Sequence, residues 1–293
     1  MSRPRTLGLV ALAVCLLVAG GCGGGGGSTD RVSGLTADEI LRQSTAAADG
    51  LTAFTLAGDT AVQARATGGA GGALPAVVAQ ALNGGVRITG TGPVNGDSAS
   101  FDFDAKLAGL PAIQGNVTKV GGGLYVGVLG TDYKVDVPAD QVAAVVPADL
   151  ISGLLGWATA PAVAGRETVD GTETVHLTAK LDVKQALHAI AGAVAAISGG
   201  KVSPATLRRS ETQLRAAVTE RALALWIGVD DLIPRRIVAK LRFAGAIDAL
   251  PPVRSGSLDL DVRVSKIGEA VDITAPTTTQ TLDLGRLRSL AGG

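Results

Sequence analysis

Ser257-Leu258-Asp259-Leu260-Asp261-Val262-Arg263-Val264 decides the fold. Leu258, Leu260, Val262 and Val264 alternate with Asp259, Asp261 and Arg263. Successive side chains of an extended chain point to opposite faces, so this period of two marks a strand with one buried and one wet face. The same pattern recurs upstream. Phe101, Phe103, Ala105 and Leu107 alternate with Asp102, Asp104 and Lys106; Val175, Leu177, Ala179 and Leu181 with His176, Thr178 and Lys180; Ile237, Ala239, Leu241 and Phe243 with Arg236, Lys240 and Arg242. Further strands are predicted at 86–91, 113–120, 124–128, 133–137, 163–169 and 222–229. Strands of parallel sheets are buried on both faces and read as unbroken apolar runs, so alternation of this kind points to an antiparallel sheet. Asn95-Gly96-Asp97, Gly121 to Gly123, Gly130-Thr131-Asp132 and Asp170-Gly171 supply the positive φ or Asx bonds that reverse a chain, which favours hairpins over helical crossovers.

Helices interrupt the strands. Thr36-Ala37-Asp38-Glu39 matches a capping box, in which threonine and glutamate each satisfy an orphan amide at a helix start. The helix it opens runs to about Asp49, with Ile40, Leu41, Ser44, Ala47 and Ala48 on one side. More helices are expected at 139–157, 183–197 and 204–219, with Pro147 breaking the first of these. Residues 65–85 are glycine-rich around Leu74 to Leu82, read either as an amphipathic helix or as a long loop. The class is therefore α+β.

The first residues have a different character. Arg3 and Arg5 precede an uncharged run from Leu7 to Gly20, the layout of a secretory signal peptide. At ~1.5 Å per residue that run is too short for a ~30 Å hydrocarbon core. Val18-Ala19-Gly20-Gly21-Cys22 resembles a lipobox, whose cysteine takes a diacylglyceryl group; Cys15 follows the bulkier Val14 inside the apolar run. Removal of residues 1–21 discards Cys15 and leaves Cys22 as the single thiol of an exported chain, so no internal disulfide is expected. An acylated Cys22 would anchor the protein to the outer face of the cell membrane. Gly23 to Gly27, Ser28 and Thr29 have the freedom of a tether. The expected organisation is signal peptide 1–21, lipidated cysteine and tether 22–34, one domain 35–276 and a C-terminal tail 277–293.

The sequence holds 26 Lys and Arg against 26 Asp and Glu. A nucleic-acid-binding domain shows a basic face, so this balance points away from one. Aromatics are only 3% of residues, so any apolar interior is aliphatic, which suits acyl chains and is also what a GC-rich genome encodes. His176 and His188 are the only histidines, and no cysteine or acidic cluster stands near either at metal-ligand spacing. There is no Gly-x-Ser-x-Gly elbow. Asp102 with Asp104, and Asp259 with Asp261, share strand faces but read as wet surface rather than an acid–base pair. No enzyme, metal or cofactor is expected.

Taken together these segments resemble the LppX/LprA/LprF/LprG family of bacterial envelope lipoproteins. The resemblance rests on the lipobox and tether, the opening helix with Ile40, Leu41 and Thr45, Gly123-Leu124-Tyr125-Val126-Gly127-Val128 leading to Tyr133-Lys134-Val135-Asp136, and Gly165-Arg166-Glu167-Thr168-Val169-Asp170-Gly171. Leu225-Trp226-Ile227, Ile233-Pro234-Arg235-Arg236 and Val264-Ser265-Lys266-Ile267-Gly268 with Val271 to Pro276 complete it. It implies a half-barrel: a curved antiparallel sheet with helices packed over its concave face, enclosing an apolar cavity for the acyl chains of an envelope lipid or glycolipid. On this reading the protein binds such a lipid and assists its transfer to the outer envelope. Its partners would be the lipid, the membrane through Cys22 and an envelope transporter. The segment 65–85 and the basic helix 204–219, with Arg208, Arg209 and Arg215, depart from the family; the arginines read as a solvated helix face. Alternation alone selects Phe54, Leu56, Phe101, Phe103, Leu177, Leu225, Ile227, Leu241, Leu258, Leu260 and Val262 as cavity-lining candidates. Trp226 falls on the opposite strand face. A competing reading is a surface adaptor with a filled core that binds another envelope protein.

Overall fold

The computed structural model describes residues 30–66, 83–109, 111–136, 147–186, 204–247, 253–277 and 280–282. The leader, Cys22, the glycine tether, the Leu74 to Leu82 piece, His188 and residues 283–293 lie outside the described residues. Twelve strands form one sheet: β1 (Ala53–Ala66), β2 (Val86–Asn95), β3 (Ser98–Leu107), β4 (Ile113–Val120), β5 (Gly123–Val128), β6 (Thr131–Val135), β7 (Ala158–Val169), β8 (Thr172–Leu181), β9 (Val218–Gly228), β10 (Pro234–Ile247), β11 (Val253–Ser265) and β12 (Gln280–Leu282). Their order is β12-β6-β5-β4-β3-β2-β1-β11-β10-β9-β8-β7, so the sheet is open, with β7 and β12 at its edges. It is curved, and antiparallel throughout except where β12 lies parallel to β6. Two meanders, β1 to β6 and β7 to β11, are therefore joined side by side through one ladder between β1 and β11.

The hairpins follow their turn residues. Gly121-Gly122, Leu129-Gly130 and Asp170-Gly171 each have positive φ at both central positions, the type I′ pattern whose twist matches that of the flanking strands. Asn, Asp or Gly normally occupy such positions; Leu129, at φ 52° and 93% exposed, is the exception.

Three helices are described: α1 (Ala37–Asp49), α2 (Pro147–Leu155) and α3 (Pro204–Ala217). Thr36 caps α1 by accepting from the Glu39 amide at 3.3 Å, while the Glu39 carboxylate turns to Arg42 and Gln43. Ile40, Ser44 and Ala48, one turn apart each, are buried. α1 packs on α2 and against β7, and α3 packs on β10. Pro147 opens α2, the position where its fixed φ and missing N–H are tolerated. Residues 139–146 lie outside the described residues. α3 ends two residues before the expected 219, because β-branched Val218 and Thr219 already belong to β9. β7 starts earlier than expected. Its first half carries Pro161, which a strand tolerates at a sheet edge, beside a register shift between Thr159 and Ala162 where Ala160 takes φ 50°.

The core joins Ile40 and Ala48 of α1, Ile151, Leu154 and Leu155 of α2 and Leu214 of α3 to Phe54, Leu56, Val94, Val175, Leu177, Leu223, Leu225, Ile227, Ile237, Ala239, Leu241, Val262 and Val264 of the sheet. It gathers where α1 and α2 lie, at the end of the sheet holding the start of β1. That end is also where the chain enters and leaves. The Arg31 amide donates to the Val229 carbonyl at 2.9 Å, and Asp30 pairs with Arg166 at 2.5 Å. After β11, the Gly268 amide donates to Ala53, the Asn95 side-chain amide donates to the Val271 carbonyl, and the chain reaches β6 as β12.

Replacing Leu129 with Asn should stabilise the fold by roughly 0.5–1 kcal/mol, since asparagine tolerates the left-handed conformation that leucine occupies under strain. Urea unfolding midpoints of the two proteins check this; an unchanged or lower midpoint for Leu129→Asn contradicts it.

Candidate functional site

Residues directly opposite one another across a ladder share a face, so the register can be read as rows. One row runs Leu177, Leu225, Ile237, Val262, Gly58, Gly90, Phe103, Gly115, Val128 and Thr131 across β8, β9, β10, β11, β1, β2, β3, β4, β5 and β6. The next runs Ala179, Leu223, Ala239, Leu260, Thr60, Ile88, Ala105 and Ile113; another runs Leu241, Leu258, Val62, Val86 and Leu107. This apolar side, called inner here, is the side that meets the core. At two of its glycines a phenylalanine fills the space: a Cβ on Gly115 would stand 2.8 Å from Cζ of Phe103, and one on Gly256 2.5 Å from Cζ of Phe243.

All eleven residues selected by alternation lie on this inner face. They do not share one environment. Phe54, Leu56, Leu177, Leu225, Ile227, Leu241 and Val262 are buried in the packed core, whereas Phe101, Phe103, Leu258 and Leu260 are only partly buried. In the rows through Phe103 and Ile88 burial falls from β9 toward β4, whereas the row through Phe54, Val94, Ala99 and Val135 stays mostly buried. At the far corner Ile88 is 44% and Ile113 41% exposed, in one row on β2 and β4, and Leu129 stands at the adjacent β5–β6 turn. An open depression of about 510 Å³ crosses β2 to β4 there, lined by Thr89, Gly90, Thr91, Asp102, Phe103, Asp104, Gln114 and Gly115. Thr89, Thr91, Asp102, Asp104 and Gln114 belong to the other, polar side of these strands, so the depression is not an enclosed acyl cavity.

The outer face is a ladder of charge pairs. Arg87 pairs with Asp59, Arg236 with Asp261 at 2.6 Å and Arg242 with Asp259 at 2.9 Å. The aspartates of β11 therefore serve arginines rather than each other, and exposed pairs of this kind contribute at most about 1 kcal/mol each. On β8, β9 and β10 the ladder encloses a stack. The His176 ring lies on the Trp226 indole at 4.4 Å and 10°, and the Arg236 guanidinium lies 4.9 Å from the same ring centroid. Glu167 of β7 binds both rings, accepting from the indole N–H at 2.9 Å and meeting His176 Nδ1 at 2.9 Å. Alternation put Trp226 and His176 on the polar side, but their stacking depends on the β8–β9 register and was not predicted. Arg208, Arg209 and Arg215 of α3 are exposed, with Arg215 paired to Glu211. Among the described residues no group of three or more His, Cys, Asp and Glu could hold a metal ion, and no helix is long and apolar enough to cross a membrane.

An open, curved antiparallel sheet with few helices, charged on one face and apolar on the other, defines the structural class. Solved structures similar to it include LprF from Mycobacterium bovis, at 17% identity and TM-score 0.43 over 83% of this chain and 97% of that one. LppX from Mycobacterium tuberculosis matches at 18% identity and TM-score 0.40, over 80% of this chain and 96% of that one. Both are mycobacterial lipoproteins of the family that the sequence resembles. A LolA superfamily protein from Nitrosomonas europaea matches at 11% identity and TM-score 0.27, over 82% of this chain and 98% of that one. No protein-family model and no curated protein matches the chain.

The indole hydrogen bond first, then His176, hold the Glu167 carboxyl below its ordinary value near 4.5. A depressed carboxyl stabilises the fold fully above that ordinary value and loses its contribution as pH falls through the lowered one. Glu167→Gln should therefore lower the urea midpoint at pH 7 and do so less at pH 3. Equal differences at the two pH values would show that the carboxylate charge plays no part.

Proposed function

We propose that this chain is an exported lipoprotein, anchored by acyl groups on Cys22, that binds an acylated lipid or glycolipid on its inner sheet face and assists its passage to the outer cell envelope. The observation that carries this reading is the mismatch between apolarity and burial. The inner rows stay largely apolar from β8 to β5, yet the described core, which includes Phe54, Leu56 and Val94 on β1 and β2, does not cover their far corner, where Ile88 and Ile113 are exposed and Phe103 is only partly buried. A continuous apolar surface of this sort on a soluble domain marks a binding site rather than a packing accident.

The work required is solvation, not bond chemistry. Each methylene brought into water costs about 0.8 kcal/mol, so three long acyl chains exposed together cost on the order of 35 kcal/mol. A face that replaces the bilayer's apolar surroundings lowers this barrier by contact alone. It needs shape, an aliphatic lining and an opening, and it assigns no catalytic role to His176 or to the paired aspartates. Two or three acyl chains on Cys22 suffice for stable anchoring where one does not.

Native mass spectrometry of the full chain, purified from the membranes of a lipid-rich host and released from detergent, tests the reading. The expected result is a discrete added mass beyond the acylated protein, extractable into organic solvent as a multiply acylated lipid. A clean mass, with no uptake of offered glycolipids or phospholipids, would overturn it in favour of a filled-core adaptor. A second measurement locates the site. Ile88→Asp and Ile113→Asp place a charge on the open corner and should reduce retained lipid at least about tenfold. Because both positions are more than 40% exposed, stability should change by less than about 1 kcal/mol. Lipid retention unchanged by both substitutions would move the site elsewhere.

A further inference from the structure

Lys119 is the one charged residue among the buried described residues, at 7% exposure. It lies on β4 between Ala99 of β3 and Leu124 of β5. The row continues through Val94 to Phe54 on one side and to Val135 on the other. Every other member is apolar, and the alternation along β4 places Lys119 on the inner face with Val117, Gly115 and Ile113, opposite to Thr118 and Asn116. The cations of the outer face are neutralised locally, as Arg87, Arg236 and Arg242 show. Lys119 has no ion pair and no side-chain hydrogen bond among the described residues. The carboxylates nearest in the chain topology, Asp97 of the β2–β3 turn, Asp136 after β6, and Glu269 and Asp272 of the segment leading to β12, are all exposed and none pairs with it.

Burying an ammonium without a partner is costly, so lysines in such rows send the methylene stem through the apolar layer and keep the head at its margin. The Nζ atom here retains contact with solvent, since it is not among the sealed polar atoms without a partner. The stem is held and the charge is available. A cation of this kind on an otherwise apolar face selects a ligand that is apolar along most of its length and anionic at one point.

We propose that Lys119 binds the anionic group, a phosphate or carboxylate, of an amphiphile whose acyl chains lie along the inner face toward Ile88 and Ile113. From Lys119 to Ile113 is six residues of β4, about 20 Å at ~3.3 Å per residue, a span that accommodates an extended acyl chain. The assignment rests on the lipid-binding reading above and narrows it to anionic lipids.

The test compares uptake of phosphatidate and of diacylglycerol with identical acyl chains by the full chain in detergent, for the unaltered protein, Lys119→Met and Lys119→Arg. The unaltered protein should prefer phosphatidate at least about tenfold, the scale of one charge-assisted hydrogen bond. Lys119→Met should take phosphatidate only as well as diacylglycerol, with diacylglycerol uptake and unfolding midpoint unchanged, and Lys119→Arg should restore the preference. A preference that survives Lys119→Met, or equal uptake of both lipids by the unaltered protein, overturns the assignment while leaving lipid binding intact. Uptake of neither lipid overturns both. Lys119-dependent binding of inorganic phosphate without lipid would make this a free-anion site and overturn the lipid assignment.

Discussion

The antiparallel ladder between β1 and β11 holds the molecule together. It runs from Thr55 opposite Ser265 to Ala66 opposite Val253 and, among the described residues, is the one strand ladder between the two meanders. The seam brings Asp59 directly opposite Asp261, a pairing that like charge makes unfavourable. It is tolerated because each aspartate has an arginine on its far side, Arg87 on β2 and Arg236 on β10. On the inner side the same seam sets Leu56 against Val264 and Val62 against Leu258, so the outer charge ladder and the inner apolar rows are two consequences of one register.

How far the sequence revealed this depends on the range of the interaction concerned. Period-two alternation is local, and it placed all eleven selected residues on one face and Trp226 on the other. Turn chemistry is local too, and Gly121-Gly122 and Asp170-Gly171 turn as read. Register is not local. Nothing near Glu167 indicates that its carboxylate will meet both His176 and Trp226, because that contact needs three strands brought into line. Place decides what a proline does: Pro161 is tolerated because β7 is an edge strand, and Pro147 stands at the first position of α2. Gln280 to Leu282 are too few to read as a strand, and they become one through the ready-made edge of β6. Lys119 was legible, since it shares parity with Val117 and Ile113, but a single lysine in a polar-looking stretch carries no weight until its burial is known.

Burial separates the selected residues into two roles. Leu177, Leu225 and Ile227 are fixed among helices and neighbouring strands, and a ligand there would have to displace protein. Phe101, Phe103, Leu258 and Leu260 have the same chemistry with fewer neighbours. The two conditions lie in continuous rows, so the packed half acts as a rigid template that sets the curvature and spacing of the open half. A flat, half-covered sheet with no such backing would be free to pair or collapse.

The seam also orders events in time. Strands β2 to β6 each pair with the one just before, and so do β8 to β11, but β1 and β11 meet across roughly two hundred residues of chain. Contacts that distant form slowly, because loop closure must precede the gain from pairing. Until β11 emerges, β1 offers a bare, fourteen-residue edge to any other extended chain nearby. A polypeptide made from its N-terminus thus displays its most adhesive strand first and the strand that quenches it nearly last. Its successful folding is a race between completing β11 and finding the wrong neighbour.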